Sequence, residues 1–301
     1  MGKKNKPKIA VNKIFSFHRD HKPEFEVKPG ESFIIEAEDC FSGQVKNEEA
    51  TVEKIDWDKM NPASGPIFIK GAEPGDIIRV KIEMIELADQ AVMVALPQEG
   101  LFGERWQKSY TKILPLKEGR VEFSESEKFT QEPMVGVLGV APADGMASTG
   151  IPGPHGGNMD CKLIKEGSFV YLPVNVPGAL LAAGDMHALM GDGEVVFCGA
   201  EAAGQVKMSV EIKDDLNIPT PLVETEDKLA IIASENKLYP AVKKSAEMML
   251  EFLIDYMEYE PSEAGMLLSL KGESEICQVV DPLKTARFTI AKQVLGIDRL
   301  E

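Results

Sequence analysis

Residues 205–213 alternate between apolar and polar side chains at every position. In an extended chain this spacing places the apolar side chains on one face and the polar side chains on the other. The apolar set is Val206, Met208, Val210 and Ile212, and the polar set is Lys207, Ser209, Glu211 and Lys213. The pattern predicts a strand of an antiparallel sheet with one face buried, so the chain has to build a sheet against a core.

Other segments of the first two thirds also have the composition of strands separated by turns. Residues 32–39 and 76–86 each follow a Pro-Gly pair, which is typical of a turn. Short apolar runs rich in Val and Phe predict two further strands, at residues 168–176 and 194–199. Near the C-terminus, residues 275–280 and 285–291 are expected to be closing strands.

The last third of the sequence changes to helical spacing. Ser234 is a candidate N-cap, and Pro240 suits the first turn of the helix that would follow. Apolar residues between Val242 and Met257 then form a stripe at helical spacing, which predicts core packing rather than a cofactor contact. A second helix is expected at residues 262–270.

These elements together predict an α+β fold that is rich in β-structure. Mostly antiparallel sheets are expected to pack like a sandwich or a barrel, with the helices concentrated in the C-terminal third. The sequence contains no internal repeat, low-complexity tract or long linker. We therefore expect one domain over residues 1–301, with a β-rich part at 8–232 and a helix-containing part at 233–301.

Charge and cysteine spacing narrow the partners and the compartment. The chain of 301 residues has a formal net charge of −16, which argues against nucleic acid or an anionic membrane as a partner, because both recruit Lys and Arg. No cysteine belongs to a Cys-x-x-Cys pair, so neither a disulfide framework nor a cysteine zinc site is indicated. The basic N-terminus lacks the apolar run of a signal peptide. A soluble, cytoplasmic protein is expected.

Most of the chemically informative residues lie between Gly150 and Glu194. Two of the four histidines fall there, each near a carboxylate and between glycines. Small residues allow close approach of a ligand, while His and Asp supply hydrogen bonds, proton transfer or metal ligation. The three motifs are Pro154-His155-Gly156-Gly157-Asn158-Met159-Asp160, Gly184-Asp185-Met186-His187 and Gly191-Asp192-Gly193-Glu194. An active site, if there is one, is predicted here.

The spacing of these side chains is compatible with a metal site. Asp185 and His187 are two residues apart, so in an extended segment they share a face, and Asp160 can join them from a neighbouring loop. Imidazole with carboxylates suits zinc, whereas carboxylates with backbone carbonyls suit calcium. Glu194 is then well placed to accept a proton from an acidified water.

Each motif also has a simpler structural explanation. A single Asp-x-His is more often a hydrogen-bonded turn than a metal site, and Gly-Asp-Gly alone is usually a hairpin. Several familiar catalytic motifs are absent from the sequence, namely the Gly-x-Ser-x-Gly elbow, the His-Glu-x-x-His helix and the phosphate-binding loop. Because the three motifs occur close together in the sequence, they indicate a functional site more strongly than any one of them does alone.

Ordered blocks of sequence resemble the acetamidase/formamidase family. The resemblance runs from about His18 to Val280. The longest matching block runs from Asn61-Pro62 to Val80, with Ser-Gly-Pro-Ile-Phe-Ile-Lys-Gly-Ala-Glu-Pro-Gly-Asp at residues 64–76 as its core. The other blocks are Lys28-Pro29-Gly30-Glu31, Glu36-Ala37-Glu38-Asp39, Gly43-Gln44, Leu172-Pro173-Val174, Pro177-Gly178-Ala179-Leu180, residues 156–160 of the first motif above, and the whole of the other two motifs. Membership implies a β-rich fold and the hydrolysis of short aliphatic amides, formamide or acetamide, to carboxylate and ammonia.

The resemblance also implies roles for individual residues. It implies a divalent metal, zinc or calcium or both, and a homodimer. The candidate metal or polar-site ligands are Asp39, Asp160, Asp185 and His187. Glu194 or Glu201 becomes the candidate base. His155, with the backbone of Gly156, Gly157 and Asn158, would bind the amide or its oxyanion.

Two alternatives to a metal-assisted amidohydrolase remain open at this point. The acidic loops would be purely structural in a non-catalytic, calcium-binding β-module. In a third interpretation, Cys161 is a nucleophile, which requires a base and a lowered pKa. Its sequence neighbours Asp160 and Met159 would not lower that pKa.

Overall fold

The computed structural model describes residues 7–50 and 52–300, and short strands and loops make up most of them. The strands of the first half are β1 Lys8–Ala10, β2 Lys13–Ile14, β3 Ser16–His18, β4 Phe25–Val27, β5 Phe33–Ala37, β6 Ala63–Ile69, β7 Ile77–Leu87, β8 Gln90–Ala95, β9 Tyr110–Lys117, β10 Arg120–Glu122, β11 Lys128–Thr130, β12 Met134–Gly139, β13 Met146–Ser148 and β14 Gly156–Asn158. Three single-turn 3₁₀ helices lie between them, at Val52–Lys54, Trp57–Lys59 and Gly103–Arg105.

The second half adds further strands and the α-helices. The strands are β15 Phe169–Pro173, β16 Leu181–His187, β17 Glu201–Ala202, β18 Gly204–Lys213, β19 Leu222–Glu224, β20 Lys228–Glu235, β21 Glu273–Gln278 and β22 Lys284–Ala291. The helices are α1 Leu238–Glu251, which continues as a π-helical segment at Phe252–Tyr256, α2 Pro261–Lys271 and α3 Lys292–Leu295. The described helices thus lie mainly in the C-terminal third, as predicted.

The first large sheet has nine strands in the order β1-β5-β18-β7-β15-β19-β20-β22-β21. Its neighbours are antiparallel except for the parallel pair β1 and β5. The alternating segment is β18, which pairs with β5 on one side and with β7 on the other. The strand inferred from alternation at residues 205–213 is therefore confirmed.

The second large sheet has eleven strands. Eight of them follow the order β11-β10-β9-β8-β17-β16-β12-β14, and β6 pairs with β16 and also with β2 and β4. A separate two-stranded sheet joins β3 and β13. Among the described residues neither large sheet closes into a barrel, so the arrangement is that of open sheets packed together.

The main core lies between the two large sheets. Val206, Met208 and Val210 of β18 belong to the same buried cluster as Ala183 and Met186 of β16. The apolar face predicted from the alternation is therefore the face that packs against the second sheet. Because β16 carries the Asp185 and His187 motif, this packing fixes the strand on which the candidate site is built.

The helices form a second core on another part of the nine-stranded sheet. Met249 and Leu253 of the helical segment that starts with α1 pack with Ile231 of β20 and Phe288 of β22. The apolar stripe of the helix is thus core packing, as its spacing predicted. Within the described residues, no helix combines the length and the apolar character that crossing a membrane requires.

Two local predictions were wrong. Residues 194–199 do not form a strand, because this segment is a loop whose Val195 carbonyl accepts a hydrogen bond from Leu101 N and whose Phe197 ring packs on the ring of Trp57. Ser234 does not cap a helix, because it lies in β20, with its hydroxyl 3.0 Å from the Thr285 hydroxyl of β22. The helix begins at Leu238, after Lys237.

Candidate active site

His187 and Glu201 face each other across two neighbouring strands. The register of β16 and β17 pairs these two residues directly, and both side chains are fully buried. Directly opposed residues on antiparallel strands have Cβ atoms close enough for their side chains to interact. Accordingly, His187 Nε2 lies 3.2 Å from Glu201 Oε1. Glu201 Oε1 also accepts a hydrogen bond of 2.9 Å from the backbone N–H of Gly199, which fixes that carboxylate.

Asp185 enters the same space through an unusual backbone conformation. It lies within β16 at a φ of 54°, in the left-handed region that non-glycine residues rarely adopt. The residue opposite on β12 is Gly136, at the one position where the ladder between β12 and β16 is not paired. A Cβ atom on Gly136 would lie 2.7 Å from Asp185 Oδ2 and still closer to Asp160 Oδ1. The absence of a side chain at Gly136 is therefore what makes room for both carboxylates.

Asp160 and Glu194 reach the site from loops, and both also have left-handed backbone conformations. Their φ angles are 43° and 46°. Strained conformations of this kind persist only where the surrounding structure imposes them, and they concentrate at functional sites. Three buried carboxylate residues with positive φ around one histidine therefore single out this region.

The side chains converge but leave many of their polar atoms unpartnered. His187 Nε2 lies 3.6 Å from Asp160 Oδ1 and 3.6 Å from Asp185 Oδ2. Buried polar atoms normally find a hydrogen-bond partner, and those that do not require an explanation. The buried atoms without one here are Asp160 Oδ1, Asp185 Oδ1, Glu194 Oε2, Glu201 Oε2 and both ring nitrogens of His187.

The four carboxylates, Asp160, Asp185, Glu194 and Glu201, line a small cavity of about 50 Å³. A volume of this size exceeds the space that a single buried water needs. The lining residues are Cys40, Met60, Asn61, Asn158, Asp160, Asp185, Glu194, Phe197, Cys198, Glu201, Val280 and Asp281. Carboxylates form much of the wall, so the cavity is polar and acidic.

The electrostatics of the cavity follow from this crowding of carboxylates. Burial, together with the charge of Asp185, raises the pKa of Asp160 to about 7, and burial raises the pKa of Glu201 to about 8. Burial and the charge of Asp160 raise the pKa of Glu194 well above its usual range. Burial opposes the charge on His187, but Glu201 and Asp185 outweigh it and raise the pKa of His187 well above 6.5. The groups favour an additional positive charge among them.

Asp281, Gly136, Asn61 and Cys40 are residues of the site that sequence reasoning missed. Asp281 follows β21, and its Oδ2 accepts a hydrogen bond of 2.9 Å from Asn158 Nδ2. Its backbone N–H donates to Gln278 Oε1, which holds the turn that carries it. All four residues lie outside the segment from Gly150 to Glu194. Asp281 lies in a Val-Asp-Pro tripeptide, which offers no motif by which it could be recognised.

The predicted amide-binding segment contributes one residue to the cavity wall. Asn158 lines the cavity and keeps its buried Oδ1 without a hydrogen-bond partner. His155, Gly156 and Gly157 do not line it. His155 packs edge-on against Phe17, with ring centroids 5.2 Å apart, and burial lowers its pKa to about 4. The structure therefore brings Asn158 together with the carboxylates and leaves His155 in an apolar contact.

Asp39 lies beside the cavity rather than in its wall. It follows β5, and its Oδ1 accepts hydrogen bonds from the backbone N–H groups of Phe41 (2.9 Å) and Gly43 (3.1 Å). These bonds shape the turn that carries Cys40 into the cavity. Asp39 thus supports the site by binding the backbone of this turn with its carboxylate, while Asp160, Asp185 and His187 of the same predicted set face one another.

Cys161 has a different environment from the one expected from its sequence neighbours. A hydrogen bond with Cys277 and the charge of Arg287 lower the pKa of Cys161 to about 7, against the effect of burial. The sequence neighbours Asp160 and Met159 are not among the causes, as expected, and the groups that do lower this pKa, Cys277 and Arg287, are distant in sequence. The thiol is nevertheless fully buried and does not line the cavity. All four cysteines are free and buried, without a disulfide.

The donor set fits a divalent metal. Asp160, His187 and Glu194 offer one ligand atom each within 4.8 Å of one another, and Cys40, Asp185 and Glu201 form a second such group among the described residues. Buried carboxylates without partners are costly unless a cation neutralises them. The combination of imidazole and carboxylate oxygen is one that zinc prefers, whereas calcium takes oxygen ligands alone.

Comparison with known proteins assigns the family. The model of the Acetamidase/Formamidase family matches residues 3–150 and 143–291, nearly the whole chain. The chain belongs to this family. The resemblance inferred from the sequence blocks is thereby confirmed, and the β-rich fold is confirmed by its similarity to a crystal structure of acetamidase from Bacillus halodurans. That structure is 41% identical, has a TM-score of 0.94, and matches 97% of this chain and 100% of that chain.

Curated relatives carry the two names of the family. The chain is 28% identical to the acetamidase of Mycolicibacterium smegmatis, in a match that covers 65% of this chain and 64% of that protein. It is 27% identical to the formamidase of Methylophilus methylotrophus, in a match that covers 63% of this chain and 61% of that protein. The match thus spans somewhat less than two thirds of the length of these curated relatives.

Proposed function

We propose that this protein is an amidohydrolase that cleaves short aliphatic amides, such as formamide and acetamide, to the carboxylate and ammonia. The observation that carries the proposal is the buried acidic cavity, whose lining residues Asp160, Asp185 and Glu201 have carboxylate oxygens 3.2–3.6 Å from His187 Nε2. Membership of the Acetamidase/Formamidase family and the names of the relatives support the reaction. The small volume of the cavity, about 50 Å³, supports a small substrate.

Asp160 and Asp185 of the cavity wall, together with His187 at 3.6 Å from each of them, would hold a divalent metal. Their unpartnered oxygen and nitrogen atoms support this assignment, and the histidine favours zinc over calcium. When bound, such a metal supplies a Lewis acid that polarises the amide carbonyl and makes water more acidic. The alternative of a calcium-binding module without activity is less well supported, because an imidazole stands at the centre of the donors.

Glu194 is the better candidate for the general base. Glu194 and Glu201 both line the cavity and have an unpartnered Oε2, but Glu201 Oε1 is already held by the backbone of Gly199 and lies against His187 Nε2. Glu194 would take a proton from the attacking water and pass it to the leaving nitrogen, which departs as ammonia. Burial and Asp160 raise the pKa of Glu194, which suits it to hold that proton between the two transfers.

Asn158 would orient the substrate. Its Oδ1 is buried and unpartnered, so it can accept a hydrogen bond from the N–H of a bound amide. Its Nδ2 is tied to Asp281 at 2.9 Å, which fixes the direction of the acceptor. The amide group would then lie between Asn158 and the metal-holding residues, with Glu194 on the cavity wall beside it.

Ammonia release by the purified, metal-analysed protein tests the proposal. We expect turnover of formamide or acetamide, and Glu194→Gln should reduce kcat by about 10²–10⁴-fold while the protein stays folded. Glu125→Gln is the matched control, because Glu125 is exposed and remote from the cavity lining. No ammonia from any short amide at any metal loading would contradict the activity. Wild-type turnover by Glu194→Gln would remove Glu194 as the base.

A further inference from the structure

Arg287 is a buried arginine at the back of the candidate site. It lies within β22 and is 1% exposed, one of the largest side chains buried to this extent. Two of its nitrogens, Nη1 and Nη2, donate parallel hydrogen bonds of 2.9 and 2.8 Å to the two carboxylate oxygens of Asp192. Its Nε donates to Glu275 at 2.9 Å. A guanidinium in this two-pronged geometry fixes the orientation of the carboxylate that it binds.

Asp192 connects this arginine to the loop that carries Glu194 and to the loop that carries Asp160. It precedes Glu194 by two residues, in the same loop. Asp192 Oδ2 also lies 2.9 Å from the ammonium of Lys162, which follows Asp160 by two residues. A single carboxylate thus ties the loop of Glu194 and the loop of Asp160 to the same strand of the nine-stranded sheet.

The backbone adds further ties at the same place. Gly193 N–H donates to the Cys277 carbonyl at 2.9 Å, and Val279 N–H donates to the Gly193 carbonyl at 3.1 Å. The segment at the end of β21 therefore pairs with the loop between Asp192 and Glu194. Side-chain and backbone bonds together surround the residue whose left-handed φ of 46° aims its carboxyl into the cavity.

We propose that Arg287 is a positioning residue that, acting through Asp192, holds the Glu194 loop and the Asp160 loop in register. This inference rests on the proposed function for its kinetic part. Arg287 does not line the cavity, so it acts only through the carboxylate that it orients. Glu194 and Asp160 both have strained backbones, and a strained backbone relaxes when the bonds that impose it are removed. Loss of the hydrogen bonds between Arg287 and Asp192 therefore moves Glu194, the proposed base, relative to the substrate.

The test uses Arg287→Lys and Asp192→Asn in the metal-loaded, full-length protein. Lysine keeps the charge but cannot make two parallel bonds, and asparagine keeps the shape but loses the charge. We expect kcat for formamide or acetamide to fall about 10–100-fold with little change in KM, because a misplaced base slows the chemical step rather than binding. Hydrogen exchange of the backbone amides of residues 191–196, followed by mass spectrometry, should become faster in both variants.

Two control variants separate positioning from general stability. Glu275→Gln disturbs Arg287 on the side away from the loop, and Arg79→Lys removes another buried guanidinium, which binds Glu211 in the same sheet. Both should lower stability but leave kcat and the exchange of residues 191–196 unchanged. Wild-type kcat and exchange in Arg287→Lys and Asp192→Asn would overturn the inference, as would equal changes in the controls. If the wild-type protein releases no ammonia, the proposed function fails, and the exchange measurement still decides whether Arg287 holds the loop.

Discussion

His187 and Glu201 oppose each other on β16 and β17, and the distance from His187 Nε2 to Glu201 Oε1 is 3.2 Å. The pair lies in the interior with Asp160 and Asp185, so one imidazole faces three carboxylates. Both imidazole nitrogens lack a hydrogen-bond partner. A Cβ on Gly199 would lie 2.8 Å from His187 Nδ1, so the ring fits tightly between its neighbours and has a fixed direction. The geometry is that of a donor set prepared for a cation.

Addition of zinc to chelator-treated protein should raise its thermal stability. Ligand that binds only the folded state stabilises it, by about 2.7 kcal/mol at a free concentration of 100 times Kd. His187→Gln should lose most of this effect and reduce kcat by at least about 100-fold, because it removes the imidazole ligand. His18→Gln is the control, since His18 lies at the surface in β3. Calorimetric scans of the wild type and the variants, with zinc and with calcium, measure this change in thermal stability. Stabilisation by calcium alone, retained in His187→Gln, would favour the non-catalytic calcium module.

Gly136→Ala should abolish activity although the substitution adds one methyl group. The new Cβ would meet Asp185 Oδ2 at 2.7 Å and press on Asp160, so the carboxylates have to separate. Overpacking of this kind costs about 1–3 kcal/mol of stability. Gly265→Ala is the matched control, because Gly265 lies in α2 with open space around it, and alanine stabilises a helix by about 0.5–1 kcal/mol there. Equal kcat values for the two variants would show that the carboxylate spacing does not matter.

Local periodicity was sufficient to predict much of the sheet. The strict alternation in β18 predicted both the strand and its buried face, and the helical stripe ending near Met257 predicted a helix, which the structure forms as α1 followed by a π-helical segment. The predicted strand at residues 194–199 was wrong because these apolar residues lie in a loop. Backbone hydrogen bonds within and around the loop hold Glu194, and no neighbouring strand of the described chain pairs with the segment. Ser234 was misassigned because a serine hydroxyl can bond across a sheet as readily as it can cap a helix.

The candidate site was predictable only where its residues share a motif. Asp185 and His187 stand two apart on one strand, and Asp160 and Glu194 lie in adjacent glycine-containing segments. The turn after β21 brings Asp281 to the cavity wall, and the pairing of β12 with β16 places Gly136 against Asp185. The contact between Arg287 and Asp192 is also non-local, because the two residues are far apart in sequence. Chain topology, which periodicity does not specify, decides all of these contacts.

Cys161→Ala should keep wild-type kcat and KM. The thiol is fully buried against Cys277 and outside the cavity wall, so it does not reach a substrate in that cavity. Loss of the sulfur should cost about 1–2 kcal/mol of stability through the space it leaves in the core. Chemical denaturation and ammonia release together measure the two effects. Loss of turnover in a variant that remains folded would instead support the nucleophile interpretation of Cys161.

The pH dependence of stability should report the burial of His155. Burial lowers the pKa of its folded form to about 4, from 6.5 in the unfolded chain. Between these two values the unfolded chain binds a proton that the folded protein does not, so stability is complete above pH 6.5 and falls as the pH drops toward 4.

His155→Gln should remove this contribution, because glutamine does not titrate. The difference in the free energy of unfolding, wild type minus variant, should therefore decrease by up to about 3 kcal/mol between pH 6.5 and pH 4. Urea denaturation of both proteins across this range measures the difference, and the carboxylates common to both cancel. His21→Gln serves as the control, because its imidazole contacts Ser16 near the surface. A constant difference between wild type and His155→Gln would contradict this prediction, because it would mean that the pKa of His155 is the same in the folded and in the unfolded protein and that burial against Phe17 does not lower it.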